Sequence, residues 1–567
     1  MHRIEFAGIL LLAIGLCLMP VAAAATENET GAVRPNILLI VAEDMSSRVG
    51  AFGDLLAQTP AIDALAAQGV RFTGAFAASG VCAPNRSALI TGVYPQSMGT
   101  QQMRTVNMNY LAVPPPQVKA FPELLRAAGY ATANTVKTDY QFGEPFTIWD
   151  ANIGNYGTAE DLALWRRLPD GQPWFAMINL MNSHESRLVS ESTAGKGRWK
   201  NFVAGVRSFR ADNIRQVTDA ADVVVPPYYP DTPEVRASIA QHYDNIHFID
   251  SQVGQTLANL QVDGLADDTV VIFTTDHGDG LPRAKRSVYD SGLSVPLVVR
   301  YPDGRGSGEV ERRLVSFVDL APSILRLAGV LVPAFIQGRD FLGADAIPRD
   351  YVFAGRDRMD LVPDRVRAVR DQRFKYLRNY MQDLPYFRPL TFRDMFPVMQ
   401  VLWEGHEQGT LNAVQNAYFV APRPAEELYD TVADPFEVHN LAADADYAEV
   451  LQRMRGALSG WMARVGDLSS EPEQQMIERM WPGGKQPQTG VPYGEWLAGG
   501  DRQVVLRSRT QGASIGYRIV TDRSDSERWA LYTGPVSLPE GVALQAKAIR
   551  YGFAESAVAN LTEQAIH

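Results

Sequence analysis

Three unbroken apolar runs constrain this chain most: Pro35-Asn36-Ile37-Leu38-Leu39-Ile40-Val41, Trp174-Phe175-Ala176-Met177-Ile178-Asn179-Leu180 and Thr269-Val270-Val271-Ile272-Phe273-Thr274-Thr275. A strand with one wet face alternates polar and apolar residues. A continuous run therefore reads as a strand buried on both faces of a parallel sheet. Each run stops at polar residues, namely Glu43-Asp44, His184 and Asp276-His277. Open α/β sheets bind ligands at the carboxyl ends of their strands, so these are candidate functional groups.

Helical patterns lie between the runs, at Thr59 to Gly69, Phe121 to Gly129 and Ile239 to Leu260, and Tyr130 to Val136 reads as another strand, ending at Lys137. The alternation predicts an α/β fold over residues 33–345, with a doubly wound, mostly parallel sheet. His242 and His247 on the long helix read as packing or surface residues. Residues 346–480 read as a smaller α+β subdomain, with a strand pair in Val366 to Tyr380 and a helix from Tyr447 to Val465. A Pro- and Gly-rich linker follows at 481–500. Alternation at Ile515, Tyr517 and Ile519, and at Val542, Leu544, Ala546 and Ala548, then predicts a terminal β-sandwich over 501–563.

Residues 1–25 read as an export signal: Arg3, an apolar run from Phe6 to Met19, Pro20, then small residues Ala22 to Ala25. The run is shorter than the ~20 residues that span a bilayer, so no permanent membrane anchor is expected. A formal net charge of −11 argues against nucleic acid as a general partner. Cys17 leaves with the signal, and Cys82 is then the only cysteine, which rules out an intramolecular disulfide. An exported protein without disulfides points to a bacterial periplasmic or secreted enzyme, and its unpaired thiol to a chemical role.

Cys82 opens the stretch Cys82-Ala83-Pro84-Asn85-Arg86-Ser87-Ala88-Leu89-Ile90-Thr91-Gly92. Pro84 suits a first helical turn, which places Cys82 at a helix N-terminus, where free amides and the helix dipole favour an anion. Arg86 adds a charged fork. Glu43, Asp44 and Asp276 can converge on a hard divalent cation, while Arg86, Lys137, His184 and Lys285 can surround an oxyanion.

Cys82-Ala83-Pro84-Asn85-Arg86, followed by Ala88-Leu89-Ile90-Thr91-Gly92, resembles the signature of the type I, formylglycine-dependent sulfatases. The resemblance implies a fold of the alkaline phosphatase/sulfatase type. It also implies that a formylglycine-generating maturation enzyme oxidises Cys82, and that one divalent ion, calcium ahead of magnesium, sits among Glu43, Asp44, Cys82, Asp276 and His277. The catalytic set it implies is Cys82, Arg86, Lys137, His184, Asp276 and Lys285. In that family's mechanism the hydrated aldehyde, deprotonated by the residue matching Asp276, attacks sulfur, and the match to His184 or Lys285 protonates the departing alcohol. Glu43 replaces the family's usual aspartate and Asp139 stands where histidine is frequent, while His277, in a pair that matches the family, adds a nitrogen to an oxygen-rich site.

The surroundings of His184 and Lys137, with Gly355-Arg356-Asp357-Arg358-Met359-Asp360, resemble the heparan N-sulfatase-like branch. That resemblance implies a sulfated oligo- or polysaccharide substrate, contacted by Asp139, Arg356 and Arg358. Tyr532-Thr533-Gly534-Pro535 resembles the immunoglobulin-like C-terminal module of bacterial hexosaminidases. Two other readings stand beside this one: a phosphatase or phosphonate hydrolase of the same superfamily, and a non-catalytic binder of sulfated glycans.

Overall fold

Side-chain alternation along β1 (Asn36–Ala42) explains why every residue after Asn36 is apolar. Ile37, Leu39 and Val41 enter one hydrophobic cluster, Leu38, Ile40 and Ala42 enter another, and all are fully buried. Each buried large aliphatic side chain contributes about 1.5–3 kcal/mol, so β1 ties together the layers on both sides of the sheet. The computed structural model describes residues 34–135, 137–153, 158, 160–188, 214–499, 502–520 and 528–566. The export signal expected at 1–25 lies outside them.

With β2 (Val70–Phe76), β3 (Ala131–Thr135), β4 (Ala151–Ile153), β5 (Trp174–Leu180), β6 (Thr269–Thr275), β7 (Leu297–Arg300) and β8 (Val310–Ser316), β1 forms an eight-stranded sheet in the order β4-β3-β5-β1-β6-β7-β2-β8. β7 runs antiparallel to β6 and β2, and the other neighbours pair in parallel. Ala42 lies opposite both Leu180 and Thr275, so the three apolar strands end level with one another. The chemistry-bearing residues after them therefore emerge at one edge of the sheet.

Two helices frame that edge. Helix Cys82–Thr91 is buried along its whole length and ends at Gly92, whose φ of 69° needs no Cβ. Helix Pro233–Val262 starts earlier than its apolar periodicity, because Thr232 caps it by accepting from Val235 N and Pro233 occupies its first turn.

The second region is the antiparallel sheet β12-β11-β10-β9, built from β9 (Val352–Arg356), β10 (Val366–Arg370), β11 (Phe374–Asn379) and β12 (Glu426–Asp430). Helix Ala448–Val465 covers it, with Trp461 stacked on Phe353 at 5.0 Å between centroids. The last region has two antiparallel sheets. One joins β13 (Tyr493–Trp496), β14 (Gln503–Arg507) and β17 (Val536–Ser537); the other joins β15 (Ser514–Val520), β16 (Ala530–Leu531), β18 (Ala543–Ile549) and β19 (Ala559–Leu561). Val504, Leu506 and Val536 of the first meet Ile515, Leu544 and Leu561 of the second in a common core. The stretch read as a linker thus supplies a strand, β13, to this sandwich.

The sandwich is fastened to the large sheet's layer: Tyr551 stacks on Phe142 at 5.0 Å and donates to Glu123 Oε2 at 2.7 Å. Among the described residues no helix is long and apolar enough to cross a membrane.

Candidate active site

Strand ends deliver the site. Glu43 and Asp44 follow β1, Lys137 and Asp139 follow β3, His184 follows β5, and Asp276 and His277 follow β6. The turn after β2 carries Gly80 and leads into the helix headed by Cys82. A Cβ on Gly80 would fall 2.1 Å from Ser287 O, so only glycine lets this turn lie against the 281–287 loop, where Arg286 N donates to Gly80 O at 2.6 Å. That close approach brings Lys285 to the site.

Cys82 Sγ, fully buried, lies 3.4 Å from His277 Nε2 and 3.9 Å from Asp44 Oδ1. His277 Nε2 is 3.1 Å from Asp44 Oδ1 and 3.7 Å from Asp276 Oδ2. Lys285 Nζ contacts Asp44 Oδ2 at 2.5 Å and stands 3.4 Å from His184 Nε2. Lys137 Nζ is 2.7 Å from Glu43 Oε2, and Arg86 pairs with Glu43 Oε1 and bonds Asn179 Oδ1 at 2.9 Å. The backbone is pinned as well: Asp276 Oδ1 accepts from Asp44 N at 2.9 Å and from His277 N at 3.0 Å. The carboxylates of Glu43, Asp44 and Asp276 are thus matched by the cations of Arg86, Lys137 and Lys285.

This packing sets the protonation states. Burial works to raise the Asp44 carboxyl, but Lys285, His184 and His277 hold it well below the usual carboxylate range. Burial and then Lys285 push His184 well below the ordinary histidine value, which leaves a neutral imidazole. Burial opposes the charge on Lys285, yet Asp44 raises its pKa above that of a free lysine. Burial also pushes the Cys82 thiol up to about 12, against the pull of Lys137 and Lys285, so it is not a thiolate at neutral pH.

The donor set fits a divalent cation. Asp44, Cys82, Asp276 and His277 each offer an atom within 4.8 Å of the others, as do Glu43, Asp44, Cys82 and His184. Asp276 Oδ2 is buried with no hydrogen-bond partner, and a cation would satisfy that hard oxygen.

Arg356 and Arg358 are placed differently. Both are buried; Arg356 pairs with Asp364 at 2.9 Å, while Arg358 forks onto Glu473 at 2.7 and 2.8 Å and bonds Met103 O. Their hydrogen bonds go to these structural partners rather than to the Cys82 cluster. His242 is also buried, 3.1 Å from Asp279 Oδ1, and His247 is bonded to Gln58 O. The sequence reading missed the pair Glu185–Arg286, joined by bonds of 2.7 and 2.8 Å directly beside His184 and Lys285. It also missed Arg104, whose guanidinium stands 4.0 Å from Asp139. Neither follows a motif; only the fold brings these residues together.

Residues 35–330 match the sulfatase family model. The chain belongs to the sulfatase family. It is therefore a hydrolase of sulfate esters. Within this sulfatase, residues 283–386 match the model described as N-sulphoglucosamine sulphohydrolase, C-terminal. An ulvan-active sulfatase of Formosa agariphila is 38% identical over 548 residues, covering 92% of this chain and 90% of that protein. Human N-sulphoglucosamine sulphohydrolase is 28% identical over 494 residues, covering 81% and 93%. Among solved structures, a 2-O GAG sulfatase superposes with a TM-score of 0.56 at 21% identity, covering 76% of this chain and 93% of that one, a likeness of fold.

Proposed function

We propose that this sulfatase is an exported bacterial enzyme that removes sulfate from a sulfated oligo- or polysaccharide, with Cys82 converted to formylglycine by a maturation enzyme and one calcium ion bound beside it. The observation that carries this reading is the convergence of Asp44, Asp276, His277, Arg86, Lys137, His184 and Lys285 on one buried cysteine. A hydrated formylglycine would supply a hydroxyl nucleophile where the thiol, held protonated, supplies none. A calcium ion held by Asp44, Asp276 and His277, with Glu43 at its edge, would act as a Lewis acid toward the substrate's oxygens.

The remaining work belongs to side chains of this protein. Arg86 and Lys137, braced side by side on Glu43, hold sulfate oxygens. Asp276 accepts the nucleophile's proton. Lys285, its ammonium 3.4 Å from the neutral His184 imidazole that positions it, stabilises and protonates the departing alcohol oxygen. A saccharide substrate is supported by the relatives named ulvan-active sulfatase and N-sulphoglucosamine sulphohydrolase. The kinship of the terminal sandwich to the immunoglobulin-like module belongs to the same proposal, supported by its two facing sheets.

The test is release of inorganic sulfate from ulvan and from heparan-type oligosaccharides, by the protein from its native host and by Cys82→Ala. Sulfate release by the former alone supports the reading. Preferential release of phosphate from an aryl phosphate over sulfate from an aryl sulfate would overturn it.

A further inference from the structure

Several non-glycine residues at the site adopt left-handed backbone conformations, Asp44 and Arg286 among them, and two of these face each other: Arg104, at φ 53°, and Asp139, at φ 51°. Such conformations cost free energy and persist only where the surroundings impose them. Here the surroundings do. Met103 packs with Val81 and Ala83, the neighbours of Cys82, and its N–H donates to Arg358 O at 2.8 Å. Thr105 is tied on the other side, its N–H to Gln141 Oε1 at 3.2 Å and its hydroxyl to Gln141 O at 3.1 Å. Arg104 is thus held between two fixed points, one lodged beside Cys82, the other joined to the strand end that carries Lys137 and Asp139.

The side chains at this spot are under-used. The Arg104 side chain is 42% exposed, and its one ion pair among the described residues, to Asp139, spans 4.0 Å, too long for a hydrogen bond. Asp139 Oδ2 is buried without a hydrogen-bond partner. The neighbouring arginine, Arg286, is buried and committed, since it forks onto Glu185 and faces Asp360. Asp139, Cys82, Asp360 and Arg286 all act electrostatically on Arg104, which agrees with a guanidinium in the neighbourhood of Cys82.

We propose that Arg104 and Asp139 form a subsite for the sugar next to the one that loses its sulfate, Arg104 binding an anionic group on that sugar and Asp139 accepting one of its hydroxyls. The inference rests on the saccharide reading above and adds a specificity to it. A guanidinium fork suits a carboxylate or a second sulfate alike.

The experiment uses three disaccharides with the same sulfated sugar, whose neighbour carries a carboxylate, a second sulfate or hydroxyls only. The native enzyme is expected to favour one anionic form over the neutral one by about tenfold or more in kcat/KM, as a charge-assisted fork provides. Which form is favoured identifies the anion. In Arg104→Gln the preference collapses through KM, and Arg104→Lys, which keeps the charge without the fork, retains part of it. Equal use of all three by the native enzyme, or an equal loss on all three in Arg104→Gln, would overturn the subsite. If the native enzyme desulfates none of them and no aryl sulfate, the catalytic reading fails instead. Calorimetry with Cys82→Ala then decides the subsite alone: tighter binding of an anionic disaccharide supports it, and equal affinities refute it.

Discussion

Lys137 Nζ lies 2.7 Å from Glu43 Oε2 while Arg86 takes the other carboxylate oxygen, so one glutamate holds two cations side by side. An aspartate, one methylene shorter, would reach less far toward both. Glu43 is therefore expected to act mainly as a brace. Glu43→Gln should keep its bound metal, measured by elemental analysis, yet raise KM for a sulfate ester. Its unfolding free energy in urea should fall by about 3 kcal/mol, because two buried cations lose their partner. Loss of the metal in this variant would make Glu43 a ligand instead.

Asp276 offers a cleaner probe of the ion. Its Oδ1 accepts two backbone N–H bonds, which an asparagine oxygen can still accept, while Oδ2 has no hydrogen-bond partner. Asp276→Asn should fold normally by circular dichroism but bind calcium more weakly by calorimetry. Chelation should abolish turnover by the native enzyme, and added calcium should restore it.

Lys285 and His184 make a prediction about leaving groups. If Lys285 protonates the departing oxygen from a position set by His184, His184→Ala and Lys285→Ala lose most activity on sugar sulfates, whose alcohols are poor leaving groups. The loss should be about 10²-fold or more on the sugar and much smaller on 4-nitrophenyl sulfate. Equal losses on both substrates would assign the pair to binding.

The Glu185–Arg286 pair sets a pH dependence. Burial alone would raise the Glu185 carboxyl, but Arg286 and Lys285 pull it from 4.5 to about 2. A carboxyl whose pKa is lowered on folding stabilises the protein above its unfolded value and loses that contribution as pH falls toward the folded one. The stability gap between native protein and Glu185→Gln should therefore be full at pH 7 and shrink from about pH 4.5 downward. Urea titrations across that range measure it.

Much of this was legible in the sequence for a physical reason. β1, β5 and β6 are buried on both faces, so their composition gives them away, and the polar residues that end them are the ones the sheet gathers. Edge strands carry a weaker signal. β8, Val-Glu-Arg-Arg-Leu-Val-Ser, exposes its first half and has no apolar run to mark it. Partners distant in sequence were hidden altogether: nothing local ties Glu185 to Arg286, Arg358 to Glu473 or Arg104 to Asp139. Arg356 and Arg358 look like a charged recognition patch in sequence, and only the fold places Asp364 and Glu473 against them.

The proposed chemistry requires that Cys82 be converted before it works. The measurement that tests it most directly is the mass of the tryptic peptide Phe72 to Arg86 from protein purified out of its native host. Formylglycine at position 82 is the expected result. Unmodified cysteine throughout, in protein that still releases sulfate, would contradict it.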